Sequence, residues 1–487
     1  LGVSGDRQGR ISSGIKYLFR LRITAAPEPE ISSLTKHLRL SCFLREPPER
    51  NPSMSSTNPQ AVELNECIGK VNSHVLDLLS ERGRNIFFPR EGILAQTAEA
   101  EGKEINATIG AALEDDGSTM CLPSLASRVS LEPGDVFPYA KSSGKLPMRR
   151  KWKEMMYRKN PSLDGAAISL PVVSCALTHG LSMAAYLLAD PGEPIIVTDL
   201  YWGNYRLILS QAYGIVLDTF RTFSGEGLNI EGLREKLMEG TPGKRIVLLN
   251  FPNNPTGYTP TEEEAGRLRD VLVEAADAGN TIAVLVDDAY FGLVYEEGVL
   301  TESIFARLAD AHRRILAVKF DGPTKEDFVW GFRVGFVTFG IKGGNEELYG
   351  ALEAKMSGIA RGSISNASHV AQSLLLAAYE DKEYENQKKQ KRLVLKRRYD
   401  KVRSIFAGHP EYGEYFEPLP FNSGYFMCVK LKGLQGEPVR KRMLDAYGTG
   451  VIAIGDLLRV AFSSTPLGKL ETLLANMYRA CRDVSNT

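Results

Sequence analysis

The stretch Ile315-Leu316-Ala317-Val318-Lys319-Phe320-Asp321-Gly322-Pro323-Thr324-Lys325-Glu326-Asp327-Phe328-Val329-Trp330-Gly331-Phe332-Arg333-Val334-Gly335-Phe336 decides the fold. Ile315 to Phe320 is an apolar run of the length of a buried strand. Gly322-Pro323 ends it and opens a loop. That loop carries a hydroxyl, Thr324, and a lysine, Lys325, and Arg333 follows eight residues later between two glycines. Working outward, short apolar runs recur at Val172–Leu177, Pro194–Thr198, Ile215–Phe220, Arg245–Phe251, Ile282–Val286 and Gly335–Phe339. Amphipathic helices separate some of them. Glu262 to Ala278 sets Ala265, Leu268, Val271, Leu272 and Ala275 on one face. The alternation predicts an α/β fold with a mostly parallel, seven-stranded sheet covered by helices. Ligands of such sheets bind at the carboxyl ends of the strands.

Polar residues gather where those ends are expected. Thr178-His179-Gly180-Leu181-Ser182 leaves a strand and opens a helix, where free N–H groups attract an anion. Gly180 there would let backbone approach a ligand closely. Tyr201-Trp202-Gly203-Asn204-Tyr205 follows the next strand. Asn250-Phe251-Pro252-Asn253-Asn254-Pro255-Thr256-Gly257 holds two X-Pro steps, which make a rigid turn that can aim an amide. Val284-Leu285-Val286-Asp287-Asp288-Ala289-Tyr290 ends a buried strand on carboxylates, which need a cation or donor to face. Strand alternation lets only one of Asp287 and Asp288 face a common ligand. Read singly, these are also a turn glycine, a core tryptophan, a plain turn and an ion pair.

Taken in order, the set resembles the fold-type I pyridoxal-phosphate (PLP) enzymes, the aspartate aminotransferase superfamily, from roughly Ala61 to the C-terminus. The resemblance implies that Lys325 carries the cofactor and moves the substrate proton. It implies that Thr324, Arg333, Gly180 and Leu181 bind the phosphate. The family usually has a hydroxyl residue where Leu181 stands, so the side-chain bond is lost or passes to Ser182. Gly322 likewise stands where the family often has serine. Trp202 corresponds to the residue stacked on the cofactor ring, and Asn254 and Tyr290 to donors for its phenolic oxygen. The pattern Asp-x-Ala-Tyr selects Asp287 as the partner of the ring nitrogen. Arg459, in Leu457-Leu458-Arg459-Val460, is similar to the arginine that binds the substrate α-carboxylate. Arg361, before Ser365-Asn366, is similar to the partner-subunit arginine that binds a distal carboxylate in dicarboxylate-specific members. Tyr139 is similar to the tyrosine that reaches the partner's phosphate. Ile105 to Gly117, with Gly110, resembles the segment that closes over substrate; a plain strand and turn reads equally well.

Implied, then, is a class I/II aminotransferase working by a ping-pong mechanism on an amino acid and a 2-oxo acid, with PLP as cofactor and a homodimer as the unit. A carbon–sulfur lyase or elimination enzyme would share the constellation. A non-catalytic PLP-binding regulator would need an N-terminal DNA-binding module, for which the leader is too short and irregular.

The composition agrees. Lys plus Arg and Asp plus Glu both number 59, so the zero net charge favours neither nucleic acid nor a membrane surface. No apolar run reaches the ~18–20 residues of a spanning helix. Six cysteines are scattered without a C-x-x-C pair, which argues against a disulfide framework or zinc and suits a cytoplasmic protein. Residues 1–53 carry nine Lys/Arg against five Asp/Glu, with Pro-Glu repeats. They read as a disordered leader, either a targeting segment or an extension ahead of Met54. The expected organisation is a leader (1–53), an arm with part of the small domain (54–135), a large PLP-binding domain (136–378) and a small α+β domain (379–487). One helix is predicted over Ala61 to Arg82. Helix faces are predicted at Leu348, Leu352, Met356 and Ile359 and at Leu395, Tyr399, Val402 and Phe406. The second of these helices is strongly basic, which reads as a solvated face rather than a nucleic-acid surface.

Overall fold

The computed structural model describes residues 58–86, 93–127 and 130–486; the leader lies outside them. The single arm helix is instead three: α1 (Pro59–Val71), α2 (Ser73–Leu78) and α3 (Glu81–Asn85). Asn72 and Ser80 turn extended between them, and the Ser80 hydroxyl caps α3 by accepting from Gly83 N at 3.0 Å. These are the residue types that compete with helix by bonding local backbone.

Seven strands form the central sheet: β1 (Val172–Ser174), β2 (Pro194–Thr198), β3 (Val216–Phe220), β4 (Lys244–Asn250), β5 (Thr281–Asp287), β6 (Ile315–Asp321) and β7 (Gly335–Gly340). Their order is β1-β7-β6-β5-β4-β2-β3. Only β7 runs antiparallel to its neighbours. Each expected apolar run is a strand of this sheet. The first is shorter than expected, because the chain turns helical at Ala176 rather than after Leu177.

The register sets the site. Asn250 lies beside Asp287, and Asp287 beside Phe320. The carboxyl ends of β4, β5 and β6 are therefore level, and Asp287 and the segments leading to Asn254 and Lys325 lie at neighbouring strand ends. Helices α4 (Leu146–Lys159), α5 (Ala176–Leu188) and α6 (Glu262–Asp277) belong to this part of the chain. A capping box at Thr261 and Glu264 starts α6, which buries Ala265, Leu268, Leu272 and Ala275. Lys325 stands on a one-turn helix, α7 (Pro323–Glu326), not on an open loop. Proline at the first helical position favours that turn.

Helix α8 (Glu346–Ser363) buries Tyr349, Met356 and Ala360. Leu348 is exposed, so the face is rotated from the expected one. Helix α9 (His369–Tyr379) leads into α10 (Tyr384–Gly408), which buries Leu395, Tyr399 and Val402 as expected. A four-stranded antiparallel sheet follows, β8 (Phe416–Pro418), β9 (Phe426–Leu431), β10 (Ile452–Ile454) and β11 (Leu457–Ala461), in the order β8-β9-β11-β10. Ile105–Asn106 pairs with Thr449–Gly450, and Ala461 N donates to Ala107 O at 2.8 Å. The segment with Thr108 and Gly110 is thereby drawn alongside β11.

Candidate active site

Asp287 is buried, and its neighbours explain which of the two carboxylates faces the site. Its Oδ2 accepts from the Tyr205 hydroxyl at 2.5 Å and its Oδ1 from Ala289 N at 3.1 Å. Burial pushes its pKa up, while the Tyr205 bond and the Lys325 charge oppose that. A carboxylate has about four acceptor positions, so room remains for one further N–H. Asp288 points the other way. It is ion-paired to the buried Lys319, and Ser303 Oγ donates to it at 2.5 Å. Strand alternation separates the two.

Lys325 Nζ lies 4.6 Å from the centroid of the Tyr290 ring. Burial pulls its pKa down to about 8, with Asp287 opposing the shift and Arg333 adding to it. The linkage has a definite sign. Below pH ~8 both folded and unfolded chains hold the proton, and burial of the charge costs its full amount; between there and the ordinary lysine value the unfolded chain binds more protons, so the fold gains stability as pH rises. Apoprotein carrying Lys325→Met should therefore melt above the wild type at neutral pH, and the gap should close as the pH climbs through that window. A gap independent of pH would show that this amine titrates as an exposed lysine does.

Arg459 on β11 is 2% exposed. Its Nη1 donates to Asn254 Oδ1 at 3.2 Å and its Nη2 to Thr108 O at 3.0 Å, with the guanidinium 4.2 Å from the Phe426 ring centroid. Its Nε has no hydrogen-bond partner among the described residues. Burial lowers its pKa, opposed by Tyr290 and Cys428. Such a guanidinium can grip an anionic group of a ligand. Gly110 is exposed, and a Cβ there would stand 3.8 Å from Phe426. The turn after Asn254 is held tightly: Gly257 has φ +74°, and a Cβ would meet Phe426 O at 1.9 Å. Only glycine lets that turn touch the small sheet.

A second group of polar atoms lies near the start of α5 and the turn of Lys325. Thr324 is buried, and its Oγ1 lacks a partner among the described residues. Arg333 is exposed in the left-handed region (φ +52°) and donates to Trp330 O at 3.2 Å. The start of α5 is two residues earlier than the sequence suggests, at Ala176, which has φ +59°. Gly180 is therefore inside the helix. A Cβ there would lie 3.1 Å from Val337 and 3.2 Å from Phe320, so its smallness serves helix–sheet packing, and Leu181 is fully buried. The free N–H groups belong to Ala176, Leu177 and Thr178. His179 ties this end to α8: its Nδ1 accepts from Cys175 N at 3.2 Å and its Nε2 lies 2.9 Å from Ser363 Oγ.

Trp202 is half-buried and edge-on to Tyr205, 5.6 Å between centroids. Tyr205 was not singled out in the sequence. Its signal was its place three residues after Trp202, one turn on, in a segment that becomes helical. Two expected residues are not brought to the group within this chain. Tyr139 is 92% exposed, and Arg361 is exposed in the last turn of α8, two residues from Ser363.

Residues 103–476 match the family described as aminotransferase class I and II. The chain belongs to that family, whose members use pyridoxal phosphate. Among curated relatives, the aspartate aminotransferase of Bacillus subtilis is 25% identical over 217 residues, 43% of this chain and 48% of that protein. The aspartate aminotransferase of Geobacillus stearothermophilus is 26% identical over 241 residues, 49% and 55% of the two chains. The chain thus spans about half the length of these curated relatives. An aminotransferase structure from Anaerococcus prevotii superposes with a TM-score of 0.72 at 24% identity, covering 82% of this chain and 98% of that one. Aspartate aminotransferase from Thermus thermophilus gives 0.65 at 20% identity, covering 82% and 99%. The fold is accordingly that of fold-type I aminotransferases.

The residues fit the cofactor. The orphaned Thr324 hydroxyl, Arg333 and the α5 N-terminus suit its phosphate, and the spare acceptor positions of Asp287 suit its ring N–H.

Proposed function

We propose that the chain is a pyridoxal-phosphate-dependent aminotransferase that moves an amino group between an L-amino acid and a 2-oxo acid in two half-reactions. The observation that carries this is the meeting of Lys325, with its depressed amine pKa, Asp287 at the β5 end, and the buried Arg459–Asn254 pair. When bound, the cofactor supplies the electron sink. Arg459 would bind the α-carboxylate, using Nε and the Nη atoms it now shares with Asn254 and Thr108. Lys325 Nζ would take the proton from the substrate α-carbon and return it to the reactive carbon of the cofactor. Asp287 would keep the ring nitrogen protonated, and Tyr290 and Asn254 would donate to the phenolic oxygen. Thr324, Arg333 and the N–H groups of Ala176 to Thr178 would hold the phosphate, with Trp202 against the ring.

The names of several relatives support a dicarboxylic substrate. Arg361 and Tyr139, both exposed, would then act from each subunit on its partner's site in a homodimer. We further place the protein in the cytoplasm and its large domain at 136–378. Cys67, Cys121, Cys175, Cys428 and Cys481 are free, and among the described residues no helix is long and apolar enough to cross a membrane.

A panel of amino donors and 2-oxo acids on the purified holoenzyme tests the function: steady amino transfer supports it, and release of ammonia and a 2-oxo acid without transfer would identify the elimination chemistry instead. Arg361→Ala should lower kcat/KM for aspartate or glutamate a hundredfold or more. Removing one partner of a buried charged pair costs about 3–5 kcal/mol, and each ~1.4 kcal/mol is a decade. Neutral amino acids should be nearly unaffected. Equal treatment of aspartate and alanine at wild-type rates would mean Arg361 serves only the C-terminal end of its helix.

A further inference from the structure

Directly after Lys325 come two carboxylates, Glu326 and Asp327, 7% and 0% exposed. Adjacent buried anions repel each other and are costly unless paired. Here three helices converge on them. Glu326 Oε1 accepts from Lys159 of α4 at 2.8 Å and from Lys388 of α10 at 2.6 Å. Asp327 Oδ1 accepts from Lys388 at 3.1 Å and from Tyr384 at 2.7 Å, and its Oδ2 accepts from Tyr379 of α9 at 2.8 Å. Two ammonium groups balance two carboxylates. Within a single turn, Lys325 thus points to Tyr290 and the site while the next two side chains are anchored behind it.

The helix holding the anchor continues to the other side of the site. Helix α10 has 25 residues, about 37 Å at 1.5 Å per residue. Lys388 stands near its start. One turn on, Lys391 pairs with Glu114. Farther along, Arg398 pairs with Asp115 at 2.8 Å and donates to the Ser463 carbonyl. Glu114 and Asp115 close the segment that begins at Thr108, and Ser463 follows Arg459 by four residues. The basic residues of α10 named here are thus not a solvated face, as the sequence suggested. They fasten one rigid helix both to the turn of Lys325 and to the surroundings of Arg459.

We propose that the Glu326–Asp327 cluster with Lys159, Lys388, Tyr379 and Tyr384 is a positioning device, registering Lys325 through α10 against Arg459 so that its amine reaches the substrate α-carbon. The inference rests on the reading of Lys325 as the cofactor lysine. Their polar atoms bond one another, so the cluster acts through Lys325 and Arg459. Proton transfer is sensitive to such placement: a displacement of 1 Å can cost roughly a hundredfold in rate.

The test uses the holoenzyme with Lys388→Met and, because an unbalanced anion can undermine folding, the charge-balanced pair E326Q/K388M. Expected in whichever variant folds is full cofactor content and an unchanged KM for the amino acid. The expected kcat is about ten- to a hundredfold lower, with a larger primary isotope effect when the donor is deuterated at the α-carbon. Lys388→Arg should restore most of the rate. Wild-type kcat and isotope effect in K388M would overturn the proposal. So would a lower melting temperature with an unchanged isotope effect in both variants, since that describes a merely structural cluster. Borohydride reduction of the same preparations separates the two levels: a label away from Lys325 would sink the reading beneath the proposal, whereas a label on Lys325 with unaltered kinetics would sink the proposal alone.

Discussion

Lys325→Ala should lower kcat by at least ~10³-fold, within the range by which positioned acid–base groups act, and borohydride should fix the cofactor of the wild type on a peptide containing Lys325. Two lysines sit close enough in sequence to compete for the role, and their surroundings differ. Lys319 is fully buried, ion-paired to Asp288 and 3.0 Å from Asp321. Burial pulls its pKa down, but the two carboxylates outweigh that and hold it above the ordinary lysine value. An amine so held stays protonated and is no nucleophile. Lys325 has the opposite balance: burial dominates, and its amine is brought to about 8. It is the one of the two that can lose its proton near neutral pH and accept another from carbon. A label on Lys319, or a Lys325→Ala enzyme within tenfold of wild type, would overturn the assignment.

The strands were legible because buried parallel strands are apolar on both faces and read as unbroken runs. That same property hid the start of α5. Val172 to Leu177 is apolar throughout, and periodicity cannot tell a buried strand from the first turn of a buried helix. The expected helix start was therefore set two residues too late, at Thr178 instead of Ala176. Asn254, Asp287 and Lys325 were legible because turn chemistry and strand ends mark them locally. The contacts that bring their companions to them were not. Tyr205 meets Asp287 across 82 residues, and Arg459 meets Asn254 across 205. The charge pattern of α10 showed that the helix was basic. It could not show that Glu326 and Asp327 wait for Lys388, a pairing only the packed structure supplies.

The contrast between Asp287 and Asp288 gives the second large effect. Asp287→Ala should leave a folded protein that still takes up pyridoxal phosphate, because the phosphate contacts and Lys325 are untouched. What it removes is the anion proposed to face the ring N–H. Leaving a buried cation unpaired costs about 3–5 kcal/mol; at ~1.4 kcal/mol per decade, kcat should fall by roughly two to four decades. Asp287→Asn should fall nearly as far, since an amide can accept a hydrogen bond but supplies no negative charge to hold the proton. Asp288→Ala should do the reverse. It strips Lys319 of its nearest carboxylate and frees Ser303, so the fold should lose about 3–5 kcal/mol, read as a lower denaturation midpoint. The surviving folded enzyme should turn over at close to the wild-type rate, because Asp288 points away from Tyr290 and Lys325 and into the Lys319 cluster. Denaturation midpoints and kcat measured on the same three variants decide the matter. A collapse of kcat in Asp288→Ala with a nearly normal Asp287→Ala would place the functional carboxylate one residue farther along β5, on the opposite side of the strand.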